Sequence, residues 1–119
     1  MKVVVTSQGK DMDAPVDLRF GRAPWFIVVD TETGEYEAVS NEQNLNAPQG
    51  AGIQAADNVA RTGARALVTG NCGPNAFRTL SEAEIKVYMG SSGTVAEAVE
   101  AFKRGDLGAA DEANVEGHW

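Results

Sequence analysis

The single cysteine of the chain stands in the run Thr69-Gly70-Asn71-Cys72-Gly73-Pro74-Asn75-Ala76. The apolar Ala66-Leu67-Val68 precedes it, and Phe77 and Leu80 then begin a helical spacing. This order predicts a buried strand, a tight turn and a helix N-terminus, a junction that aims backbone N–H groups at one spot and favours an anion there. A second glycine-flanked turn, Gly90-Ser91-Ser92-Gly93, leads into Thr94-Val95-Ala96-Glu97. Thr94 and Glu97 have the spacing of a capping box, so another helix starts here. Together the two turns suit a two-lobed cradle of backbone donors. Each alone suits an ordinary strand-to-helix turn equally well.

Cys72 reads as a nucleophile, a metal ligand or an inert small residue. A nucleophilic cysteine needs a base, and the one histidine is His118 in the C-terminal stretch. A helix N-terminus lowers a thiol pKa and favours contact with a soft metal. One cysteine is a poor metal site, so a metal would arrive with most of its ligands attached. Arg22, between Gly21 and Pro24, is either a surface side chain or a guanidinium held towards an anion by a rigid turn. Gly50-Ala51-Gly52-Ile53-Gln54-Ala55 matches G-x-G-x-x-A, but no strand leads directly into it, as a dinucleotide site requires. The carboxylates are scattered, with no pair that stands out as an acid/base dyad. Phe20, Trp25 and Phe26 read as core before ligand wall.

These groups need a scaffold, and the chain is long enough for one domain with its own core at 119 residues. Hydrophobic residues at 43% and charged residues at 23% describe an ordinary globular composition. The net charge of -7, without a Lys/Arg stripe, argues against nucleic acid and leaves room for a small anion bound by local donors. A lone cysteine excludes an intrachain disulfide and a CxxC site. The opening Met1-Lys2-Val3-Val4-Val5-Thr6 is too short an apolar run for a signal peptide, and no segment reaches membrane-spanning length. The expected location is cytoplasmic.

Strands are expected at 2–6, 25–30, 35–39, 66–69 and 85–89. Thr31-Glu32-Thr33-Gly34 supplies the hairpin between the second and third. Residues 40–49 read as a polar surface loop. A helix begins at Gly50 with Ile53, Ala56, Val59 and Ala60 on one face and Gly63 as its stop. A second opens at Pro74 or Asn75 with Ala76, Phe77 and Leu80 inward. A third carries Val95, Ala98 or Val99, and Phe102, and ends at Gly105. Residues 1–105 form the domain, and 106–119 an acidic, loosely held tail. The order β-β-β-α-β-α-β-α implies an α/β fold, an antiparallel meander followed by two βα crossovers that place the fourth strand beside the first. Ligands of such sheets sit at the carboxyl ends of the parallel strands, where the loops at 7–9, 70–75 and 90–94 meet.

The runs Phe20-Gly21-Arg22-Ala23-Pro24-Trp25-Phe26, Gly50-Ala51-Gly52-Ile53 and Gly73-Pro74-Asn75-Ala76-Phe77, with the turn at 90–94, resemble in this order the dinitrogenase iron–molybdenum cofactor biosynthesis family. That group includes NifX, NafY and the C-terminal domain of NifB. The resemblance spans about residues 1–105. It implies a ribonuclease H-like mixed five-stranded sheet flanked by helices, and non-catalytic binding or carriage of a metal–sulfur cluster, with protein partners in cluster assembly or delivery. A stand-alone acidic domain with one cysteine is most similar to the members that hold a molybdenum–copper sulfide cluster non-covalently.

The matched motifs place the implied site at Arg22 and Ala23, at Gly50, Ala51 and Gly52, at Asn71, Cys72, Gly73, Pro74 and Asn75, and at Ser91, Ser92, Gly93 and Thr94. Cys72 is the implied soft contact to metal. The chain departs from relatives that use histidine at the cluster, having none within 1–105. Two other readings stand beside this one. The first is a ligand-free interaction module acting through the tail and a sheet edge. The second is a ribonuclease H-like metal-dependent hydrolase, although Val3-Val4-Val5-Thr6 brings no acid to the first strand.

Overall fold

The computed structural model describes residues 1–41 and 51–110. Among these residues five strands form one sheet: β1 (Lys2–Ser7), β2 (Trp25–Asp30), β3 (Tyr36–Ser40), β4 (Ala66–Val68) and β5 (Lys86–Tyr88). Among them too, three helices flank it: α1 (Ala51–Arg61), α2 (Pro74–Glu82) and α3 (Val95–Arg104). The spatial order is β3-β2-β1-β4-β5. β1 pairs antiparallel with β2, and β2 with β3, while β1, β4 and β5 run parallel. The meander and both crossovers of the sequence reading are present, with β4 beside β1.

β1 is central, which explains its unbroken β-branched run. Val3, Val4 and Val5 alternate between two cores and are all fully buried. One core, under α1 and α2, joins Val4, Phe26, Leu67 and Val87 to Phe20, Val59 and Leu80. The other, under α3, joins Val3, Val5, Ile27 and Val68 to Val95 and Val99. Edge strand β3 stays half-exposed, as its alternation requires.

Local signals explain the helix ends. Gly73 is the N-cap of α2, with Pro74 in the first turn, where its missing N–H breaks no bond. Thr94 and Glu97 form the capping box of α3, and Gly105 ends it in the left-handed conformation.

Two expectations change. Ile53 is 41% exposed and Ala60 is exposed, while Ala55, Ala56 and Val59 face inward. The small alanines let α1 approach the 3-10 turn at Phe20–Arg22, so the row of least bulk, and not the bulkiest residue, marks the buried side. The stretch after Gly105 also begins differently. The Ala110 N–H donates to the Val87 carbonyl at 2.7 Å, Ala109 bridges Tyr88, and Leu107 packs on the α3-side core. The rest of the expected tail, with His118, and most of the polar loop before α1 lie outside the described residues. Among the described residues no helix is long and apolar enough to cross a membrane.

Candidate functional site

The carboxyl ends of β1, β4 and β5 bring the expected loops together. Ser7 bridges Val16, Pro15 bridges Thr94, and Arg19 bridges Asn71. The Gly90 N–H donates to the Gly70 carbonyl at 2.9 Å, and the Val16 N–H to the Gly93 carbonyl at 2.8 Å. Ser7 and Gly9 form a small closed turn through the Ser7 hydroxyl. Gly70 is required by contact: a Cβ there would lie 2.7 Å from the Leu18 Cα. Asn71 closes the same junction. Its Nδ2 donates to the Leu18 carbonyl at 3.0 Å, and its own carbonyl accepts the Phe20 N–H at 3.1 Å.

The two helix N-termini at this end differ. At α3 the protein uses its own donors. The Val95 N–H goes to the Ala14 carbonyl, the Ala96 N–H to Met12, the Glu97 N–H to the Thr94 hydroxyl and the Thr94 N–H to the Glu97 carboxylate. The Gly90 and Ser91 N–H groups are also taken, by Gly70 and Thr69. At α2 no described residue accepts the N–H of Gly73, Asn75 or Ala76, and no side chain caps the helix. The symmetric cradle of the sequence reading therefore becomes one open wall, at α2, and one closed by the chain itself. Only Ser92 and Gly93 keep N–H groups without an acceptor among the described residues in the second turn.

Cys72 corrects the expectation of a lowered thiol pKa. The residue is fully buried in the α1/α2-side core, and its Sγ lies 3.6 Å from the Gly73 carbonyl oxygen. Burial pushes the thiol up to about 12, because desolvation penalises the thiolate. Cys72 is thus a core thiol whose surroundings favour the protonated form.

The remaining expected site residues fall as follows. Arg22 ends the 3-10 turn, half-buried, its N–H on the Arg19 carbonyl at 3.2 Å. Ala23 is fully buried, and its carbonyl accepts Asn41 Nδ2 at 2.9 Å, so it acts as a wall of the core. Gly52 is buried in the first turn of α1, which starts at Ala51, and Gly50 lies outside the described residues. Pro74 and Asn75 are exposed at the open helix end, and Asn75 Oδ1 accepts Arg78 Nη2 at 3.1 Å. Ser92 and Gly93 are exposed, and Thr94 serves its cap. Ser91 is only 6% exposed, and no described residue hydrogen-bonds its hydroxyl, whereas the other buried polar side chains here, Thr6, Ser7, Asp17, Asn41 and Thr69, have partners. Phe20 and Phe26 stack in the core at 5.9 Å, and Trp25 is half-buried with Lys10 Nζ 4.9 Å from its ring centroid.

Sequence reasoning passed over Thr6, Thr69, Asp17 and Arg78. A threonine closing each apolar run, Val3-Val4-Val5 and Ala66-Leu67-Val68, was the available signal for the first two. Among the described residues no group of three or more His, Cys, Asp or Glu side chains could hold a metal ion. The N–H groups at the head of α2 are the donors this end of the sheet offers an anion.

Comparison with known proteins gives three results. The family model described as "Dinitrogenase iron-molybdenum cofactor" matches residues 1–105. An uncharacterized protein of Methanocaldococcus jannaschii is 31% identical over 90 residues, 74% of this chain and 76% of that protein. Among solved structures, the apo form of the orange protein from Desulfovibrio gigas superposes with a TM-score of 0.94 at 42% identity, covering 96% of each chain. A putative NifB protein from Thermotoga gives 0.83 at 39% identity, covering 98% of each.

Proposed function

Because the chain belongs to the dinitrogenase iron-molybdenum cofactor family, we propose that it binds and carries an anionic, molybdenum-containing metal–sulfur cluster at the carboxyl end of its parallel strands, without turnover of its own. One observation carries the reading: the N–H groups of Gly73, Asn75 and Ala76 stand without an acceptor among the described residues at the head of α2. Backbone donors and the helix dipole favour negative charge there. A sulfide-ligated cluster is anionic and completes its own coordination, so it needs hydrogen-bond donors and cations and no protein ligand set. Arg22 and the Asn75-tethered Arg78 are the candidate cations, and the buried Ser91 hydroxyl is a polar group that a bound cluster would satisfy.

The finer identity we propose is a molybdenum–copper sulfide cluster. It rests on the resemblance of this one-cysteine acidic domain to the members that carry such a cluster. The 42% identity to the orange protein, whose solved form is apo, supports it. The ribonuclease H-like label belongs to the same proposal and is supported by the strand order. Proteins of cluster assembly are the partners the family suggests, and a cytoplasmic location fits that role. A two-metal hydrolase would need clustered carboxylates, and the described residues supply none.

The test is anaerobic reconstitution with tetrathiomolybdate and Cu(I), followed by gel filtration, visible absorption and metal analysis. Co-elution of molybdenum with a visible charge-transfer band is expected. Folded protein that elutes colourless and free of molybdenum would refute the proposal.

A further inference from the structure

We infer that the hydroxyl pair of Thr6 and Thr69 positions the anion site, holding the segment at residues 17–22 against the Gly70 turn. The inference rests on the proposed function for what the site binds, and on the hydrogen bonds alone for what the pair holds.

Thr6 and Thr69 are both fully buried. Each follows a member of the α1/α2-side core, Val4 and Leu67, by two residues, the spacing that keeps side chains on one face of an extended chain. On that apolar face a hydroxyl costs free energy unless it is hydrogen-bonded, so a threonine ending each strand calls for a partner. The Thr6 hydroxyl donates to the Asp17 carbonyl at 2.7 Å and lies 2.8 Å from the Thr69 hydroxyl. A carbonyl only accepts and each hydroxyl has one proton, so Thr69 donates to Thr6 while Thr6 donates to Asp17. The Asp17 N–H in turn donates to the Thr6 carbonyl at 2.9 Å, and Thr6 thereby grips both polar groups of the Asp17 main chain.

From Asp17 the order propagates along the chain. Its Oδ1 accepts the Arg19 N–H at 2.9 Å, the Arg19 carbonyl accepts the Arg22 N–H, and the Phe20 N–H reaches Asn71. Thr69 ties the other side, accepting the Ser91 N–H at 3.2 Å with its carbonyl. The hydroxyl pair is the buried side-chain link between the segment that carries Arg22 and the turns that carry Asn71 and Ser91, beside the exposed one from Asn71 Nδ2 to the Leu18 carbonyl. Neither threonine is exposed, so both act through Asp17 and the main chain, not by touching a ligand.

Amide hydrogen exchange at Asp17, Arg19, Phe20 and Arg22, read beside tetrathiomolybdate affinity, tests this. Thr6→Val leaves the Asp17 carbonyl and the Thr69 hydroxyl without their bond. It should speed exchange at these amides about tenfold, leave the α3 amides unchanged, and weaken binding about fivefold. Thr69→Val keeps the Thr6–Asp17 bond and should show about threefold effects. Thr6→Ser restores the hydroxyl and should stay within about twofold of the parent. If Thr6→Val does not fold, Thr69→Val and Thr6→Ser decide. Parent-like exchange at residues 17–22 in the folded valine variants overturns the inference. So does parent-like affinity in them when the parent chain binds. If the parent chain does not bind tetrathiomolybdate, the proposed function fails, and exchange alone decides the positioning role.

Discussion

The thiol of Cys72 meets the carbonyl oxygen of Gly73 at 3.6 Å, inside a core and away from solvent. This places the sulfur behind the turn that leads into α2. The folded thiol keeps its proton to about 12, whereas an ordinary thiol releases it near 9.0. Between those values the unfolded chain binds fewer protons than the folded one, so stability is full below pH 9 and declines as pH rises, by up to ~1.4 kcal/mol per pH unit from this group. Urea titrations from pH 8 to 11 should show that decline and a shallower one in Cys72→Ala, which also loses about 1–2 kcal/mol at pH 7 from the small cavity. A thiol reagent at pH 8 should label Cys72 only in denaturant. Rapid labelling of native protein would contradict its burial.

Gly70 passes against the main chain of Leu18, and a side chain there meets the Leu18 Cα at 2.7 Å and its carbonyl oxygen at 2.9 Å. Gly70→Ala should destabilise by about 2–3 kcal/mol, since backbone and not a flexible side chain must yield. Trimming the neighbour in a Gly70→Ala, Leu18→Ala double variant should recover little of it. Thermal unfolding of the parent and both variants checks this, and full recovery in the double variant would show that the Leu18 side chain was the obstacle.

Glu84 takes a left-handed conformation, φ 62, just past α2, with the Ile85 N–H on the Leu80 carbonyl at 2.9 Å. Glycine is the usual residue here. Glu84→Gly should stabilise by about 0.5–1 kcal/mol in urea unfolding. The exposed Arg65–Glu84 contact at 3.9 Å is worth at most a few tenths against that. A loss of stability would mean that the ion pair outweighs the backbone strain.

How much of this was legible depends on the range of the forces involved. The Thr94–Glu97 box, the Gly105 stop and the β1 run are set by neighbours in sequence and read directly. The sheet order followed from crossover handedness, which is equally general. The donor state of the two turns did not read, because Met12 and Ala14, far away in sequence, consume the N–H groups of α3. The burial of Cys72 did not read for a related reason. Its spacing puts it beside a helix N-terminus, but tertiary packing decides whether the thiol faces water or the core. In α1 the largest apolar residue, Ile53, drew the eye to one row while close packing chose the alanines.

The capping box also gives an acid-range prediction. The Thr94 N–H, and then the Thr94 hydroxyl, hold the Glu97 carboxyl below its ordinary value of 4.5. A depressed carboxylate contributes stability above that value and loses it as pH falls through the folded-state pKa. Glu97→Gln should therefore melt lower than the parent at pH 7, with the gap narrowing as pH falls below 4.5. Melting temperatures across that range check it, and a gap independent of pH would show that the carboxylate charge has no part in the cap.

The asymmetry of the two helix ends gives the most direct test of where an anion sits. The N–H groups of Gly73, Asn75 and Ala76 have no acceptor among the described residues, while those of Val95, Ala96 and Glu97 are bound to Ala14, Met12 and Thr94. An anion docking by hydrogen bonds must use donors that are available, since displacing an existing bond returns little net free energy. In a titration of the labelled protein with tetrathiomolybdate, the Gly73, Asn75 and Ala76 amides should shift downfield and saturate together. The Val95, Ala96 and Glu97 amides should move little. Raising the salt concentration should weaken the titration, because Arg22 and Arg78 lie in part in water. Shifts led by the α3 amides would relocate the anion to the second turn and require the Met12 and Ala14 bonds to break on binding.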